Sequence, residues 1–313
     1  MTPLGLNGQS PLPEVVPYLG LATEDQNEKN RKLYPLLPRM FRQHKAIAKL
    51  LLDDDPATVE LTKEQLLAGG AKNVADLLDL MVGASGRLAK ILQDLVTEIE
   101  VTDARQQFTK TCSSISSLDD LEEICWLLAK VFLPGINLAR YRGLLDEWAD
   151  EMRHRSQIFS SEAEQLGFLT DFFGNYLGFR GNSDDYYSIR NSLLPCVIDS
   201  RRGIPTSLAL IYLFVGKRAG IEISGVDLPG HFLVRYQGQL FDPFEGGRIM
   251  RYRDCLKALR DKRDDSIATI SAEVSPKIIL AHILSNLLYI LEHEEHQEYR
   301  GMVSNWLSLV KDS

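Results

Sequence analysis

RRGIPTSLALIYLFVGKRAG, Arg201 to Gly220, decides how the chain folds. It opens as a loop with two arginines and a glycine, then runs into a helix that is apolar on nearly every face. A helix without a polar stripe lies in the middle of a domain. Pro205 suits its first turn, because the ring fixes φ near the helical value and the missing N–H would have had no partner there. The first turn of a buried helix points at something, so Arg201, Arg202, Gly203 and Thr206 are candidate binding residues. The Arg201-Arg202 pair beside a helix N-terminus favours an anionic group; the alternative is a solvated basic pair.

Downstream, HFLVRYQGQLFDPF reads as a β-hairpin, with His231 to Tyr236 outward, a Gln237-Gly238 turn, and Gln239 to Phe244 returning. A two-residue turn fixes the register, so Tyr236 faces Gln239 and Leu233 faces Asp242. Side chains alternate along each strand. His231 and Asp242 therefore share a face as diagonal neighbours, roughly 7–8 Å apart at the backbone and within side-chain reach. A carboxylate so placed orients an imidazole and favours its protonated form.

The chain has 313 residues, 44% hydrophobic and 25% charged, with a formal net charge of −8. Such a balance argues against non-specific binding to nucleic acid or anionic membranes. Cys112, Cys125, Cys196 and Cys255 show no CxxC spacing, which argues against a cysteine metal site or a disulfide framework. Cys196 lies in LLPCVI, a context for an inert buried thiol, and Cys125 and Cys255 fall in helical patterns as packing residues. The N-terminus lacks a basic start and an apolar core of the signal-peptide kind. No apolar run is long enough to span a bilayer. A cytoplasmic protein without cofactor is the expectation.

Residues 1–23, rich in Pro and Gly, read as an extended arm, and 24–115 as a helical N-terminal domain. Short helices are expected over Thr62–Ala68, from Asn73 to Met81 and over Leu88–Ile99. The serine-rich Ser113–Ser117 is the boundary, with Ser117 and Asp120 forming a capping box. Residues 116–271 hold three helices, the loop GFRGNSDDYYSIRNS, the buried helix and the hairpin. Asp184-Asp185 in that loop has no further ligand spacing and reads as solvated or capping. Residues 272–313 form two antiparallel helices that resemble one tetratricopeptide-like unit. His282, His293 and His296 lack an HExxH pattern and read as an exposed helix end.

A loop, a buried helix, a strand opening with His and a strand carrying Asp-Pro resemble the core order of the transglutaminase-like superfamily, related to papain-like proteases. GFRGNSDDYYSIRNSLL, RRGIPTSLALIYL, LPGHFLVRY and DPFEGG resemble its bacterial SirB-type branch. The resemblance covers about Ser117 to Ser313 and implies an α+β fold, with a papain/transglutaminase-like core flanked by helices at both ends. It places His231 and Asp242 on the catalytic histidine and aspartate, puts Gly230 beside them, and puts Pro205 where the cysteine nucleophile would stand. Proline has nothing to attack with. Ser207 and Thr206 are rotated away around the helix, roughly 200° and 100°, and Cys196 lies upstream. Ser207 and Cys196 remain the substitutes. The expectation is a non-catalytic protein-binding or regulatory module for a protein or peptide partner. The alternatives are a hydrolase or acyl transferase using His231–Asp242 with a relocated nucleophile or activated water, and a scaffold whose helical ends are the working surface.

Overall fold

The computed structural model describes residues 37–159, 161–228, 231–251, 253–256, 273–293 and 297–312. Gly230 and His296 lie outside them, and so does the arm 1–23. The chain divides into two compact units, residues 1–107 with 130–136, and residues 108–129 with 137–313.

The first unit is helical. Helices α1 (Leu37–Leu51), α2 (Pro56–Ala68), α3 (Val74–Met81) and most of α4 (Gly86–Thr111) surround a core of Leu51, Leu77, Leu92, Leu95, Val96 and Ile99. Helix α2 begins earlier than its apolar pattern suggests. Asp55 caps it by accepting from Ala57 N at 3.1 Å and Thr58 Oγ1 at 2.9 Å, and Pro56 takes the first turn. Asn73 stands at the start of α3 but does not cap it; its Nδ2 instead donates to Leu66 O at 2.8 Å. Burial raises the Glu100 carboxyl above its ordinary range, opposed by Lys130. A carboxyl raised by burial is ionised at a cost in the folded state, so it subtracts stability above its folded pKa and ceases to do so as it protonates. Glu100→Gln is therefore expected to raise the melting temperature at pH 7, with the gain shrinking as pH falls through the acid range, measured by thermal unfolding at several pH values.

The second unit is built around the buried helix. Helix α5 (Leu118–Phe132) starts with the expected capping box: Asp120 N donates to Ser117 Oγ at 3.2 Å and Ser117 N to Asp120 Oδ2 at 2.9 Å. Helix α6 (Leu138–Ser156) buries Tyr141, Leu145, Trp148, Ala149 and Met152 along one stripe. Helix α7 (Glu162–Thr170) runs on into a π-helical turn at Asp171–Tyr176, then strand β1 (Arg180–Gly181), a 3₁₀ turn at Ile189–Ser192 and helix α8 (Leu194–Ser200). Strand β2 (Arg202–Gly203) pairs in parallel with β1. Helix α9 (Pro205–Ala219) follows, buried at every residue from Thr206 to Gly216, and packs against α6 and against β4.

Strands β3 (Ser224–Leu228), β4 (His231–Tyr236), β5 (Gln239–Asp242) and β6 (Arg248–Met250) form one antiparallel sheet in that order. Tyr236 faces Gln239 across the hairpin, as the two-residue turn requires. Gln237 and Gly238 both take positive φ, 47° and 75°, which matches the right-handed twist of the strands. The sequence shows only the middle pair of these strands. Helices α10 (Pro276–His293) and α11 (Gln297–Asp312) pack together, and Trp306 of α11 stacks on Phe108 at 4.0 Å.

Candidate functional site

His231 opens β4 and Asp242 closes β5, and the register brings their side chains together. His231 Nδ1 lies 3.2 Å from Asp242 Oδ2. A carboxylate only accepts, so Nδ1 carries the hydrogen and Nε2 is left as the working nitrogen. Asp242 is 1% exposed against 38% for the His231 side chain, so the carboxylate is the fixed member. Its Oδ1 accepts from Phe244 N at 2.9 Å and Glu245 N at 3.4 Å, which ties the pair to the turn that follows. Such a dyad can hold an imidazole in one orientation toward a bound group or a water. Among the described residues no hydroxyl or thiol is hydrogen-bonded to the His231 ring.

Pro205 occupies the first turn of α9, the helix packed against the strand that His231 begins. Ser207 is buried, and its Oγ donates to Asn191 O at 2.5 Å and receives Ile204 N at 3.2 Å. That hydroxyl closes the start of the helix. Thr206 is buried beside it. Gly203 must lack a side chain, because a Cβ there would come within 2.7 Å of Ser207 Oγ. Cys196 is buried in α8, and burial pushes its thiol up to about 11. Sequence reasoning missed Asn191. Its backbone oxygen takes Ser207, its Nδ2 donates to Asp185 O at 2.6 Å and Tyr186 O at 3.0 Å, and its Oδ1 accepts Asn182 Nδ2 at 2.9 Å. The Asn191 side chain thus closes the Asn182–Asn191 loop on itself, and its backbone oxygen ties that loop to the buried helix. No pattern of spacing marks such a hub.

Arg201 ends α8 in the left-handed region, φ 58°, and lays its guanidinium over Trp148 at 4.4 Å and Phe179 at 4.9 Å. Arg202 beside it is exposed. His282 is no exposed helix end. It sits within α10, half-buried, with Nε2 2.8 Å from Asp227 Oδ2 on β3. No group of three or more His, Cys, Asp or Glu is placed to hold a metal among the described residues. No described helix is long and apolar enough to cross a membrane.

Tyr212 lies two turns along α9 from Pro205, fully buried and stacked on Phe173 at 3.8 Å. Its hydroxyl has no hydrogen-bond partner among the described residues, and burial raises its pKa, with the Asp242 charge adding to the effect. A buried hydroxyl without a partner costs desolvation and returns nothing. Tyr212→Phe is expected to be neutral or to stabilise by up to about 1 kcal/mol, read from denaturant unfolding.

A buried helix packed on a strand that opens with His, followed by a strand that ends in Asp, defines a papain/transglutaminase-like α+β core. The known proteins agree. The transglutaminase-like superfamily matches residues 139–285. A UPF0162 protein of Xylella fastidiosa is 31% identical over 189 residues, 56% of this chain and 67% of that protein. A UPF0162 protein of Pseudomonas aeruginosa is 34% identical over 170 residues, 53% of this chain and 62% of the relative. Human F-box only protein 21 is 27% identical over 227 residues, 66% of this chain and 35% of that protein. No solved structure matches. The chain belongs to the transglutaminase-like superfamily, together with the bacterial UPF0162 proteins.

Proposed function

We propose that the chain is a non-catalytic protein-binding module that keeps the superfamily's core for its shape. The reading rests on Pro205 at the first turn of the buried helix, the position to which the resemblance assigns the cysteine nucleophile. Acyl transfer through a covalent intermediate needs a nucleophile, and without one only the weak catalysis of the remaining site survives. The two substitutes are otherwise engaged: Ser207 Oγ is bonded to Asn191 and Ile204, and the Cys196 thiol is buried. Use of a related core inside the much longer human F-box only protein 21 fits a module that accompanies other segments. In this reading the surface around His231 and Asp242 takes an extended peptide.

The competing reading keeps a hydrolase, because the His231–Asp242 dyad is intact and His231 is partly exposed. Incubation with a diverse peptide pool, and separately with a glutamine peptide plus an amine, distinguishes the two by mass spectrometry. No cleavage or transamidation above buffer is expected. Turnover that disappears in His231→Ala would overturn the proposal.

A further inference from the structure

Arginine pairing is uneven in the second unit. Arg140, Arg142, Arg155 and Arg218 each lie within 4.0 Å of an Asp or Glu oxygen. Arg180, Arg190, Arg201 and Arg202 have no such partner among the described residues. Three of these four are gathered by one local structure. The parallel pairing of β1 with β2 sets Arg180 opposite Arg202, which puts their backbones about 4.8 Å apart with side chains on one face. Arg180 N also donates to Arg201 O at 3.1 Å, so Arg201 adjoins the pair. Its Nη1 is buried and without a partner. The acid that acts on Arg201 is Asp199, whose carboxylate already takes Tyr141 OH at 2.7 Å and Arg140 at 3.3 Å. Like charges set opposite one another destabilise a strand pair. This chain carries a net charge of −8, yet it sets three arginines without a hydrogen-bonded carboxylate beside the start of α9, of which Arg180 donates from Nη2 to Gly174 O at 3.3 Å.

The neighbouring surface says what kind of anion fits. Phe244 covers Gly181, the residue after Arg180: Gly181 N donates to Phe244 O at 2.7 Å, and a Cβ on Gly181 would strike the Phe244 ring at 2.5 Å. From Phe244 a row of rings continues through Tyr186 at 6.0 Å and Tyr187 at 5.2 Å to Tyr289 at 5.3 Å. Tyr187 and Tyr289 are 60% and 48% exposed. Aromatic rings beside guanidinium forks match a polypeptide with carboxylates and apolar side chains. An inorganic polyphosphate has no apolar groups to set against that row.

We propose that Arg180, Arg201 and Arg202 form the docking point for an acidic peptide segment of a partner protein, with the Tyr186–Tyr187–Tyr289 row receiving its apolar side chains. This rests on the protein-binding reading above and adds the chemistry of the partner. The test is selection of a random linear peptide library against the full chain. Binders enriched in Asp and Glu are expected. The tightest of them, made synthetically, should lose at least about tenfold in affinity in Arg202→Glu and in Arg180→Ala, and weaken with added salt. The Arg202 side chain has no hydrogen bond or ion pair among the described residues, so its variants keep the fold; thermal unfolding verifies this, and Arg202→Gln stands in if Arg202→Glu does not fold. Binders without acidic bias, or with affinity unchanged in the variants, would overturn the acidic-partner proposal and leave the binding module intact. A library that yields no binder would overturn both. A single-stranded DNA oligonucleotide that binds as tightly and is lost in the same variants would replace the peptide with nucleic acid.

Discussion

A Pro205→Cys variant is expected to carry one fast thiol against four silent ones. The native cysteines are all buried. Burial pushes Cys196 up to about 11 and raises Cys125 further. A thiol with a pKa near 11 is thiolate to only about one part in ten thousand at pH 7. A thiol at a helix N-terminus beside an imidazolium falls to about 7 or below, which makes half or more of it thiolate. Its lower intrinsic nucleophilicity takes back roughly an order of magnitude or more. The net expectation is alkylation by iodoacetamide at pH 7 at least about a hundredfold faster than any native cysteine. The exchange itself is mild, because the first helical turn tolerates residues other than proline. Adding His231→Ala should slow the new thiol and move its pH profile toward that of an ordinary cysteine. A rate no faster than a simple exposed thiol, or one indifferent to His231→Ala, would sink the identification of Pro205 as the vacated nucleophile position.

How far the site could be read from sequence depends on what kind of fact each residue embodies. The His231–Asp242 pairing follows from strand periodicity and a two-residue turn, both local rules, and the structure places the two side chains 3.2 Å apart. The buried helix is equally legible, because a run apolar on all faces has one place to go. The outer strands are not. Strand β3 reads SGVDL, with no run of alternating residues, and β6 has only three residues. Both exist because a neighbouring strand offers them a ladder, which is a tertiary fact. Asn191 and His282 fail to announce themselves for the same reason. Asn191 acts through backbone groups that only the folded loop brings near, and His282 reaches Asp227 across fifty-five positions. The three arginines of β1, α8 and β2 are intermediate. Arg201-Arg202 is visible as a pair, but Arg180 joins it only through a parallel strand pairing twenty-two positions apart.

Glu122→Ala is expected to cost about 3–5 kcal/mol, a large fraction of a domain's whole stability. Glu122 is 7% exposed on α5 and draws together three elements. Arg218, at the last turn of α9, donates from Nη1 and Nη2 to its two oxygens, each at 2.7 Å. Trp126, fully buried, donates Nε1–H at 2.8 Å. Arg142 of α6 stands 4.0 Å away, and Arg218 also reaches Asp146 of α6 at 2.7 Å. The hydrogen bond to Glu122 is the main cause that raises the pKa of Arg218. Removing the carboxylate leaves two guanidinium donors and one indole N–H short of a partner in a poorly hydrated site, and that desolvation makes the change severe. The exposed Asp146 pair cannot compensate, because a solvated ion pair contributes about 1 kcal/mol or less. Urea unfolding of Glu122→Ala, of Arg218→Met and of the double variant separates these contributions. The double variant should recover part of the loss, since it no longer strands the guanidinium, though the Trp126 N–H stays unpaired. A loss below about 1 kcal/mol for Glu122→Ala would mean that water reaches Arg218 freely. The anchor of α9 would then have to lie in its apolar packing against α6 and β4 alone.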